Sequence, residues 1–331
     1  MLVSVIIPVF NREKVLSFAL ESIAKQSYTD WEIIISDDGS TDNTQYIVEA
    51  FSKKIKQPVT FVKAKANQGV GCARNAGINK AKGDLIAFLD SDDRWLDHHL
   101  EKCIEILGEN PSIDWISANY RFIDLDTNGV FIESGFHSHG SRPELKLKDE
   151  QVGPTKIITD PLLVQTSIIH GHMAPLGSSV FRKEVFKCIA FPNARMHEDT
   201  VFWIDALMCK MKFGYTNDIH LDVYDHDNRT VIRELGESQG IDHKLKAHIN
   251  SYQALSTLGK HKSGLTSDEL NAYKYRLGNL CFWIIGYECY LKSGSYLKAY
   301  RWFLKGLSYR PLNIKYWKTF LTNWLKVFQT S

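Results

Sequence analysis

The stretch Leu85-Ile-Ala-Phe-Leu-Asp-Ser-Asp-Asp-Arg-Trp95 joins an apolar run directly to three carboxylates. Its apolar side chains predict a buried strand, and repulsion between adjacent carboxylates is tolerable only where water or a divalent cation offsets it. Residues i and i+2 of a strand share a face, so Asp90 and Asp92 should point the same way. This Asp-x-Asp pair could therefore hold Mg²⁺ or Mn²⁺ at a strand end. A solvated acidic turn is the alternative interpretation, because Asp and Ser are common turn residues.

Strand and helix patterns alternate before this stretch. β-branched apolar runs predict strands, and apolar residues at helical spacing predict the helices between them. The predicted strands cover Val3 to Val9, Trp31 to Ser36, Val59 to Ala64 and Leu85 to Leu89, and the predicted helices cover residues 15–23, a segment capped by Asp42, and Gly69 to Lys82. Such alternation indicates an α/β fold with a mostly parallel, Rossmann-like sheet. Ligands of these sheets bind at the carboxyl ends of the strands, where the acidic loops would lie.

The pattern is less regular after the fourth strand. We expect irregular structure from about Asp114 to Leu176, including a mobile loop in the polar stretch from Ser134 to Val152. A strand over Ser178 to Phe181 and a helix over Thr200 to Lys210 should follow. Beyond about residue 235 the pattern is helical only, so we predict two domains, which cover residues 1–235 and 236–331.

The composition is ordinary for a globular protein, with 44% hydrophobic and 24% charged residues in a chain of 331. None of the six cysteines forms a CxxC pair, which favours reduced thiols in a cytoplasm and argues against structural zinc. Pro8 cuts the N-terminal apolar run short, and we interpret that run as a strand rather than a leader. No run of eighteen apolar residues occurs, so we expect no transmembrane helix.

A second acidic loop, Ser36-Asp-Asp-Gly-Ser-Thr-Asp-Asn-Thr44, follows the predicted second strand. Asp37 or Asp38 could accept a hydrogen bond from a base imino group or a ribose hydroxyl, and a buried acceptor discriminates against ligands that lack the donor. An acidic helix cap is the alternative interpretation. The loop does not fit a calcium-binding EF-hand, which needs a central Gly and a Glu at its twelfth position.

The segment Asn67-Gln-Gly-Val-Gly-Cys-Ala-Arg-Asn-Ala-Gly77 opens a helix with two glycines and places Arg74 one turn inside it. A guanidinium offers a fixed fork of donors, so Arg74 could pair with Asp37, with Asp38 or with a pyrophosphate. The segment matches neither the Walker P-loop nor the GxGxxG pattern. A glycine-rich helix start without a ligand is the alternative.

Together these motifs resemble those of the family 2 glycosyltransferases, inverting enzymes of the GT-A fold, over roughly residues 3–230. The matching segments are Ser4 to Asn11 as the first strand, Asp37 to Asp42 as the nucleotide loop, Asn67 to Gly77, and Asp90-Ser-Asp92 as the metal motif. Further along, Gly177 to Phe186 is similar to the family's acceptor-side strand, and His197-Glu-Asp-Thr-Val-Phe-Trp203 is similar to its Glu-Asp motif.

The resemblance implies a role for each matching residue. Asp199 would be the general base with Glu198 positioning the acceptor, and Asp92 together with Asp90 would bind Mn²⁺ or Mg²⁺. The implied nucleotide-sugar site consists of Pro8, Val9, Asn11, Asp37, Asp38, Arg74, Asp90 and Ser91. Negative charge at a helix N-terminus is an alternative explanation for Glu198 and Asp199.

Three histidines and an arginine are further candidates. His226, in Tyr224-Asp-His-Asp-Asn-Arg-Thr230, lies where GT-A enzymes often carry another metal or diphosphate ligand, although a hydrogen-bonded loop histidine is the alternative. Arg229 could pair with the diphosphate instead. His170 and His172 precede the acceptor-side strand and are candidate acceptor contacts.

The C-terminal part is strongly basic. Residues 241–331 hold fourteen Lys and Arg against four Asp and Glu, a net charge of +10, which leaves −8 for the first 240 residues. The basic residues are interleaved with Trp and Tyr, which suits peripheral contact with an anionic membrane surface. Helices packed on the catalytic domain, or a dimer interface, are the alternatives. No RNA-binding motif occurs, so we expect no nucleic-acid partner.

The residues and the resemblance lead to one functional hypothesis. We expect a metal-dependent inverting glycosyltransferase that moves a hexosyl or N-acetylhexosaminyl group from a nucleotide-sugar, UDP-linked, to a saccharide or lipid-linked saccharide. Its setting would be bacterial surface polysaccharide synthesis, in the cytoplasm or on the cytoplasmic face of the inner membrane. A non-catalytic nucleotide-sugar-binding or scaffold protein of the same fold is the alternative. A nucleotidyltransferase would need a Gly-rich basic loop after the first strand, which the sequence lacks.

Overall fold

The structure is a computed structural model that describes residues 1–138, 142–194, 196–225, 240–258 and 264–328. The chain forms two compact units. The first comprises Met1–Ser167, Gly171–Asn193 and Glu198–His226, and the second comprises Ile168–His170, Ala194–His197 and Asp227–Ser331. The boundary predicted near residue 235 lies outside the described residues, so the division at that position stays a prediction.

One sheet organises the first unit, and its described part has eleven strands. In chain order these are β1 (Val3–Val9), β2 (Trp31–Asp37), β3 (Val59–Lys63), β4 (Leu85–Phe88), β5 (Arg94–Trp95), β6 (Trp115–Asp124), β7 (Val130–Ile132), β8 (Asp149–Val152), β9 (Thr155–Ile158), β10 (Ser179–Arg182) and β11 (Phe213–Asp225). Their order across the sheet is β3-β2-β1-β4-β10-β6-β11-β9-β8, with β5 paired to β11 and β7 paired to β6.

The N-terminal strands of this sheet are parallel, as the sequence predicts. β1 pairs with β2 and with β4, and β2 pairs with β3. Every residue of β1 and β2 is buried, which explains why these strands read as continuous apolar runs rather than as alternating ones. The strand order changes direction between β1 and β4. The loops after β1, β2 and β4 therefore open at one edge, beside the crevice where ligands of such sheets bind.

Helices connect the parallel strands at the predicted positions. They are α1 (Leu16–Ala24), α2 (Thr44–Ser52) and α3 (Val70–Ile78), and α4 (His99–Glu109) follows β5. The N-cap of α2 is Asn43, which makes no side-chain capping bond, rather than the predicted Asp42. Asp42, one residue earlier, accepts a hydrogen bond from the Thr44 backbone N–H at 3.0 Å. Later helices are α5 (Leu163–His170), α6 (Val185–Cys188) and α7 (Glu198–Met208), with short 3₁₀ turns at Pro143–Lys146 and Leu176–Ser178.

The prediction of irregular structure from Asp114 to Leu176 was wrong for much of that segment. β6 is a strand of ten residues, and the predicted mobile stretch contains β8. The missed strand carries polar side chains that find partners inside the protein: Ser117 Oγ lies 2.8 Å from Ser179 Oγ, and Arg121 pairs with Asp222. Because such partners come from distant segments, the sequence pattern of β6 does not reveal its burial.

An aromatic cluster packs α7 against β6 and β11. Trp115 stacks on Phe213 with ring centroids 5.2 Å apart, and its ring lies 5.3 Å from that of Trp203 on α7. His172 joins the cluster, with its ring 3.9 Å from Trp203. Aromatic side chains bury large areas, so this cluster fixes the helix that begins with Glu198 and Asp199.

The described part of the second unit beyond residue 239 is helical, as predicted. It contains α8 (Ile241–Thr257), α9 (Ser267–Asn279), a π-helical segment (Leu280–Leu291), α10 (Tyr296–Tyr309) and α11 (Ile314–Phe328). Phe282 is the centre of its core, stacked against Phe303 and Tyr316 at 4.4 and 4.2 Å. Among the described helices, none has both the length and the apolar character needed to cross a bilayer.

Candidate active site

The loops that follow β1 and β2 are hydrogen-bonded to each other at the carboxyl edge of the sheet. Asn11 Oδ1 accepts from the Thr41 backbone N–H at 2.9 Å, and the Asn11 N–H donates to Ser40 Oγ at 2.8 Å. Asn11 is exposed and adopts a φ of 53°, a left-handed conformation that Asn tolerates better than most residues. Pro8 and Val9 are buried in β1 immediately before it.

The two carboxylates of the nucleotide loop have structural hydrogen bonds of their own. Asp38 accepts from the Gln68 N–H at 2.8 Å and from the Gly69 N–H at 2.7 Å, one with each oxygen, and so anchors the start of α3. Asp37 accepts from the Ser40 N–H at 2.8 Å, and its other oxygen lies 3.7 Å from Lys63 Nζ. Neither residue caps the helix that follows its own loop, because Asp38 bonds the backbone just ahead of α3 and Asp37 bonds within the loop.

Arg74 makes the central contact of the site. Its Nη1 donates to Glu198 Oε1 at 2.7 Å and its Nη2 donates to Asp90 Oδ1 at 3.0 Å, while the side chain is almost completely buried. The pairing with Asp37 or Asp38 that the sequence allowed was wrong. Instead, one guanidinium joins the end of β4 to the first residue of α7. Burial alone would lower the pKa of Arg74, but Asp90, Glu198 and Asp199 raise it, so the guanidinium stays charged.

Glu198 is a buried carboxyl in contact with that guanidinium. Burial raises the pKa of Glu198, the neighbouring Asp199 carboxylate raises it further, and Arg74 lowers it, with a net result of about 7 against an ordinary 4.5. Desolvation is the largest of these effects on Glu198, and Arg74, which also bonds Asp90, does not offset it completely. Perturbed carboxyl groups of this kind are frequent in active sites.

Asp199 follows Glu198 at the start of α7. Its Oδ1 accepts from the Thr200 backbone N–H at 2.6 Å, and the residue is half-buried. Negative charge is favourable at a helix N-terminus, which is the alternative explanation for this residue. The structure thus brings Asp199 into the same cluster as Glu198, Arg74 and Asp90.

The acidic turn after β4 supplies the metal motif. Asp90 and Asp92 are partly exposed, with 37% and 15% of their side-chain surfaces accessible, and Ser91 between them is buried. Carboxylate oxygens are the ligands that Mg²⁺ and Mn²⁺ prefer, so the chemistry of this pair fits the predicted cation. Two further residues of this region were not assigned a role from the sequence: Arg12 lies 3.7 Å from Asp92, and Asp93 accepts from the Tyr224 N–H at 3.1 Å.

The candidate histidines lie in different environments, and one of them lies outside the described residues. His172 is a member of the aromatic cluster, its ring nitrogens are buried without hydrogen-bond partners, and burial lowers its pKa to about 3. An acceptor contact through His172 was therefore a wrong expectation, because stacking on Trp203 turns the ring into the core. His170 is exposed at the end of α5. His226 and Arg229 lie outside the described residues, and their roles stay predictions.

Comparison with known proteins places this geometry in a family. Residues 4–188 match the family described as Glycosyl transferase family 2. The chain belongs to glycosyl transferase family 2. It is therefore a glycosyltransferase. The matched segment includes the acidic loop after β2, the start of α3 with Arg74, and the acidic turn after β4.

Individual relatives of this family 2 glycosyltransferase agree with the assignment. An uncharacterized glycosyltransferase of Haemophilus influenzae is 31% identical over 265 residues, which are 79% of this chain and 92% of that protein. The Escherichia coli UDP-Glc:alpha-D-GlcNAc-diphosphoundecaprenol beta-1,3-glucosyltransferase WfgD is 40% identical over 37% of this chain and 47% of its own. The structure of Staphylococcus aureus TarS 1-349 in complex with UDP matches 98% of this chain and 92% of that one, with a TM-score of 0.59 and 18% identity. The fold is therefore GT-A.

Proposed function

We propose that this glycosyltransferase transfers a sugar from a UDP-sugar donor to a saccharide or lipid-linked saccharide acceptor, with inversion at the anomeric carbon, in polysaccharide biosynthesis. The observation that carries the proposal is the double contact of Arg74, which ties Asp90 of the donor-side motif to Glu198 of the acceptor-side motif. A single buried guanidinium thereby sets the spacing between the groups that would bind the donor and those that would activate the acceptor.

The chemistry assigns a task to each carboxyl group. Inverting transfer is one in-line displacement, in which the acceptor oxygen forms a bond to the anomeric carbon as the bond to the diphosphate oxygen breaks. Asp199 takes the proton from the acceptor hydroxyl, because it is partly accessible and lies at a helix N-terminus that favours the carboxylate. Glu198 positions the acceptor side of the site, since its own carboxyl is held by Arg74.

A divalent cation is part of the proposal. Asp92 and Asp90 would hold Mn²⁺ or Mg²⁺, and the cation, when bound, supplies positive charge to the leaving diphosphate. Each of the two carboxylates also has an arginine neighbour, since Arg74 donates to Asp90 at 3.0 Å and Arg12 lies 3.7 Å from Asp92.

Support for the nucleotide and the acceptor comes from a relative. The name of WfgD specifies a UDP-glucose donor and a diphosphoundecaprenol-linked acceptor, and that protein is 40% identical over its matched segment. We extend the nucleotide and the class of acceptor to this chain. The sugar and the linkage depend on pocket contacts that differ between relatives.

A lipid-linked acceptor would lie at a membrane, and α11 has a surface that suits contact with one. Its exposed face presents Trp317, Leu321 and Trp324 at helical spacing, with Leu312 and Ile314 exposed at 92% and 82% just before and at its start. Lys315 and Lys318 add positive charge. Such a combination suits the interface of an anionic bilayer, so we propose peripheral contact through this helix.

The first test is nucleotide binding by calorimetry. We expect UDP to bind the wild type in the presence of Mn²⁺, to bind much more weakly without it, and to lose the Mn²⁺ dependence in Asp92→Ala. GDP, CMP and dTDP should bind at least tenfold more weakly, if the base is recognised. Asp97→Ala is the matched control, because Asp97 is an exposed carboxylate a few residues after Asp92, between β5 and α4.

Two results would overturn parts of the proposal. Equal Mn²⁺ dependence in the wild type and in Asp92→Ala would remove Asp92 from the metal site. Binding of UDP-sugars without turnover against any lipid-linked or free saccharide, compared with a positive-control transferase, would favour the non-catalytic scaffold. Release of pyrophosphate from a nucleoside triphosphate would identify a nucleotidyltransferase.

A further inference from the structure

Three metal-ligating side chains converge behind the acidic turn, away from the sheet edge. His99 and Cys103 lie one turn apart on α4, and His220 comes from β11. The two Nδ1 atoms of the histidines are 3.3 Å apart, and Cys103 Sγ lies 3.7 Å from each of them. The three donor atoms therefore form a nearly regular triangle.

A β-bulge in β11 places His220 in this triangle. β11 pairs with β6 in parallel register, but the register shifts between Ile219 and Leu221, which makes His220 the extra residue of a bulge. Bulges of this kind commonly re-aim a side chain. The His220 carbonyl also accepts from the Leu96 N–H at 3.0 Å, so β11 is bonded to the segment that leads into α4.

The triangle is buried. His99 and Cys103 are completely inaccessible to solvent and His220 is 1% exposed. A cation bound there would be shielded from solvent.

Hydrogen bonding alone does not satisfy these groups. One Nδ1–H can donate to the other Nδ1, and the thiol can donate only weakly, so the three atoms share at most one good hydrogen bond. A cation inside the triangle would interact strongly with all three. The Nε2 of His99 has no partner among the described residues, and it lies on the other side of the ring from that cation.

The triangle has the dimensions of a zinc site. With bonds of about 2.05 Å to nitrogen and about 2.3 Å to sulfur, a tetrahedral ion places two nitrogens about 3.3 Å apart and nitrogen and sulfur about 3.6 Å apart. The observed separations are 3.3 Å and 3.7 Å. Imidazole and thiolate ligands also distinguish this site from the all-oxygen pair Asp90 and Asp92, which suits harder cations.

We propose that His99, Cys103 and His220 bind one zinc ion that fastens α4 to β11. The ion would act structurally, because the cluster is buried and lies away from the sheet edge. It would brace the turn that carries Asp90 to Asp93, since that turn leads through β5 into α4 and Asp93 is itself bonded to Tyr224 on β11. The proposal concerns a different site from the predicted Mn²⁺ site and does not depend on the transferase reaction.

Elemental analysis of the full chain, purified without a polyhistidine tag and dialysed after loading with zinc, tests the proposal. We expect one zinc per chain in the wild type, and the same in Asp92→Ala, which lacks the other metal motif. Cobalt in place of zinc should give a thiolate-to-metal charge-transfer band together with the intense visible bands of a tetrahedral ion. Neither measurement on the wild type requires a variant to fold.

Variants then assign the ligands. Cys103→Ser should lose the charge-transfer band and most of the bound zinc, and His220→Gln should lose most of the zinc, whereas the matched control Cys281→Ser, another fully buried cysteine, should retain both. Zinc should raise the unfolding temperature of the wild type and not that of Cys103→Ser. A zinc-free wild type after loading, or unchanged zinc in Cys103→Ser, would each overturn the assignment. UDP binding, measured in parallel, reports separately on the proposed function.

Discussion

Arg74 and Glu198 are 124 positions apart in sequence, and their side chains meet at 2.7 Å in a buried ion pair. The second hydrogen bond of Arg74, to Asp90, makes the guanidinium a link between two carboxyl groups that approach it from different elements. A guanidinium is suited to this position because its donors are fixed in one plane. The spacing of the candidate active site therefore depends on a residue that need not touch the substrate.

Removing this link should destabilise the protein. We expect Arg74→Ala to lower the free energy of unfolding by about 3–5 kcal/mol, because it leaves Glu198 buried and unpaired. Urea denaturation measures the effect. In a double-mutant cycle, Arg74→Ala and Glu198→Gln should be non-additive by about 0.5–3 kcal/mol, since both changes alter the same contact. Additive effects would show that the pair contributes no interaction of its own.

The raised pKa of Glu198 predicts a pH dependence of stability. The folded state holds the proton to about pH 7, whereas the unfolded chain releases it near 4.5, so the folded state binds more protons between these values. Stability from this group is then full below about pH 4.5 and falls as the pH rises towards 7, by up to about 3 kcal/mol.

The contribution of Glu198 is isolated by comparison with Glu198→Gln, which cannot titrate. The stability of the wild type minus that of the variant should decrease from pH 4.5 to pH 7, as measured by urea unfolding at each pH. A constant difference across that window would show that Arg74 keeps Glu198 ionised throughout.

Asp199→Asn should separate chemistry from binding. The substitution preserves size and the hydrogen bond from the Thr200 N–H but removes the basic oxygen, so we expect the transfer rate to fall by about 10²–10⁴-fold with little change in nucleotide affinity. Radiolabelled sugar transfer and calorimetry measure the two quantities. Asp218→Asn, at an exposed position on β11, is the control. A variant with near-normal turnover would exclude Asp199 as the base.

Asp38→Asn tests the anchor of α3. The carboxylate uses both oxygens for backbone N–H groups, and an amide would turn an NH₂ group towards one of those donors. We expect a loss of about 1–3 kcal/mol in unfolding free energy, measured by thermal or urea denaturation. Asp126→Asn, at an exposed loop position, should change stability by less than about 0.5 kcal/mol. Equal stability of the two variants would mean that the anchor contributes little.

Two helical glycines should respond in opposite directions to the same substitution. A Cβ at Gly77 of α3 would lie 2.5 Å from Ile6 Cγ2 and 2.8 Å from Ser36 Oγ, so Gly77→Ala should cost about 1–3 kcal/mol. A Cβ at Gly108 of α4 meets nothing within 4 Å, so Gly108→Ala should stabilise by about 0.5–1 kcal/mol through helix propensity. Urea denaturation of both variants checks the pair, and a shared sign would contradict the packing of α3 on β1.

The parallel half of the sheet could be predicted because its signals are local. β1, β2 and β4 are buried and mostly apolar, and acidic residues mark the ends of β2 and β4. β6 and β11 escaped prediction because they carry polar residues, such as Ser117 and Asp222, that are satisfied only by partners from distant segments. A local sequence pattern cannot indicate partners that lie far away along the chain.

The same distinction applies to the candidate sites. Motif residues such as Asp90, Asp92 and Asp199 were singled out from short segments, but the pairing of Arg74 with Asp37 or Asp38 was wrong, since its partner Glu198 lies 124 positions away. The His99, Cys103 and His220 cluster has no recognisable spacing apart from the i, i+4 pair on one helix. The expectation of no structural zinc followed from that missing spacing.

Local sequence by itself determined the parallel strands, the helices that connect them and the acidic ends of β2 and β4, because hydrophobic periodicity acts over a few residues. Tertiary structure alone decided that Arg74 joins Asp90 to Glu198, that His172 stacks in the core, and that a β-bulge brings His220 to α4. These contacts form where helices and strands pack together. A buried charge or polar group without a partner costs free energy, and in each case the partner comes from a distant part of the sequence.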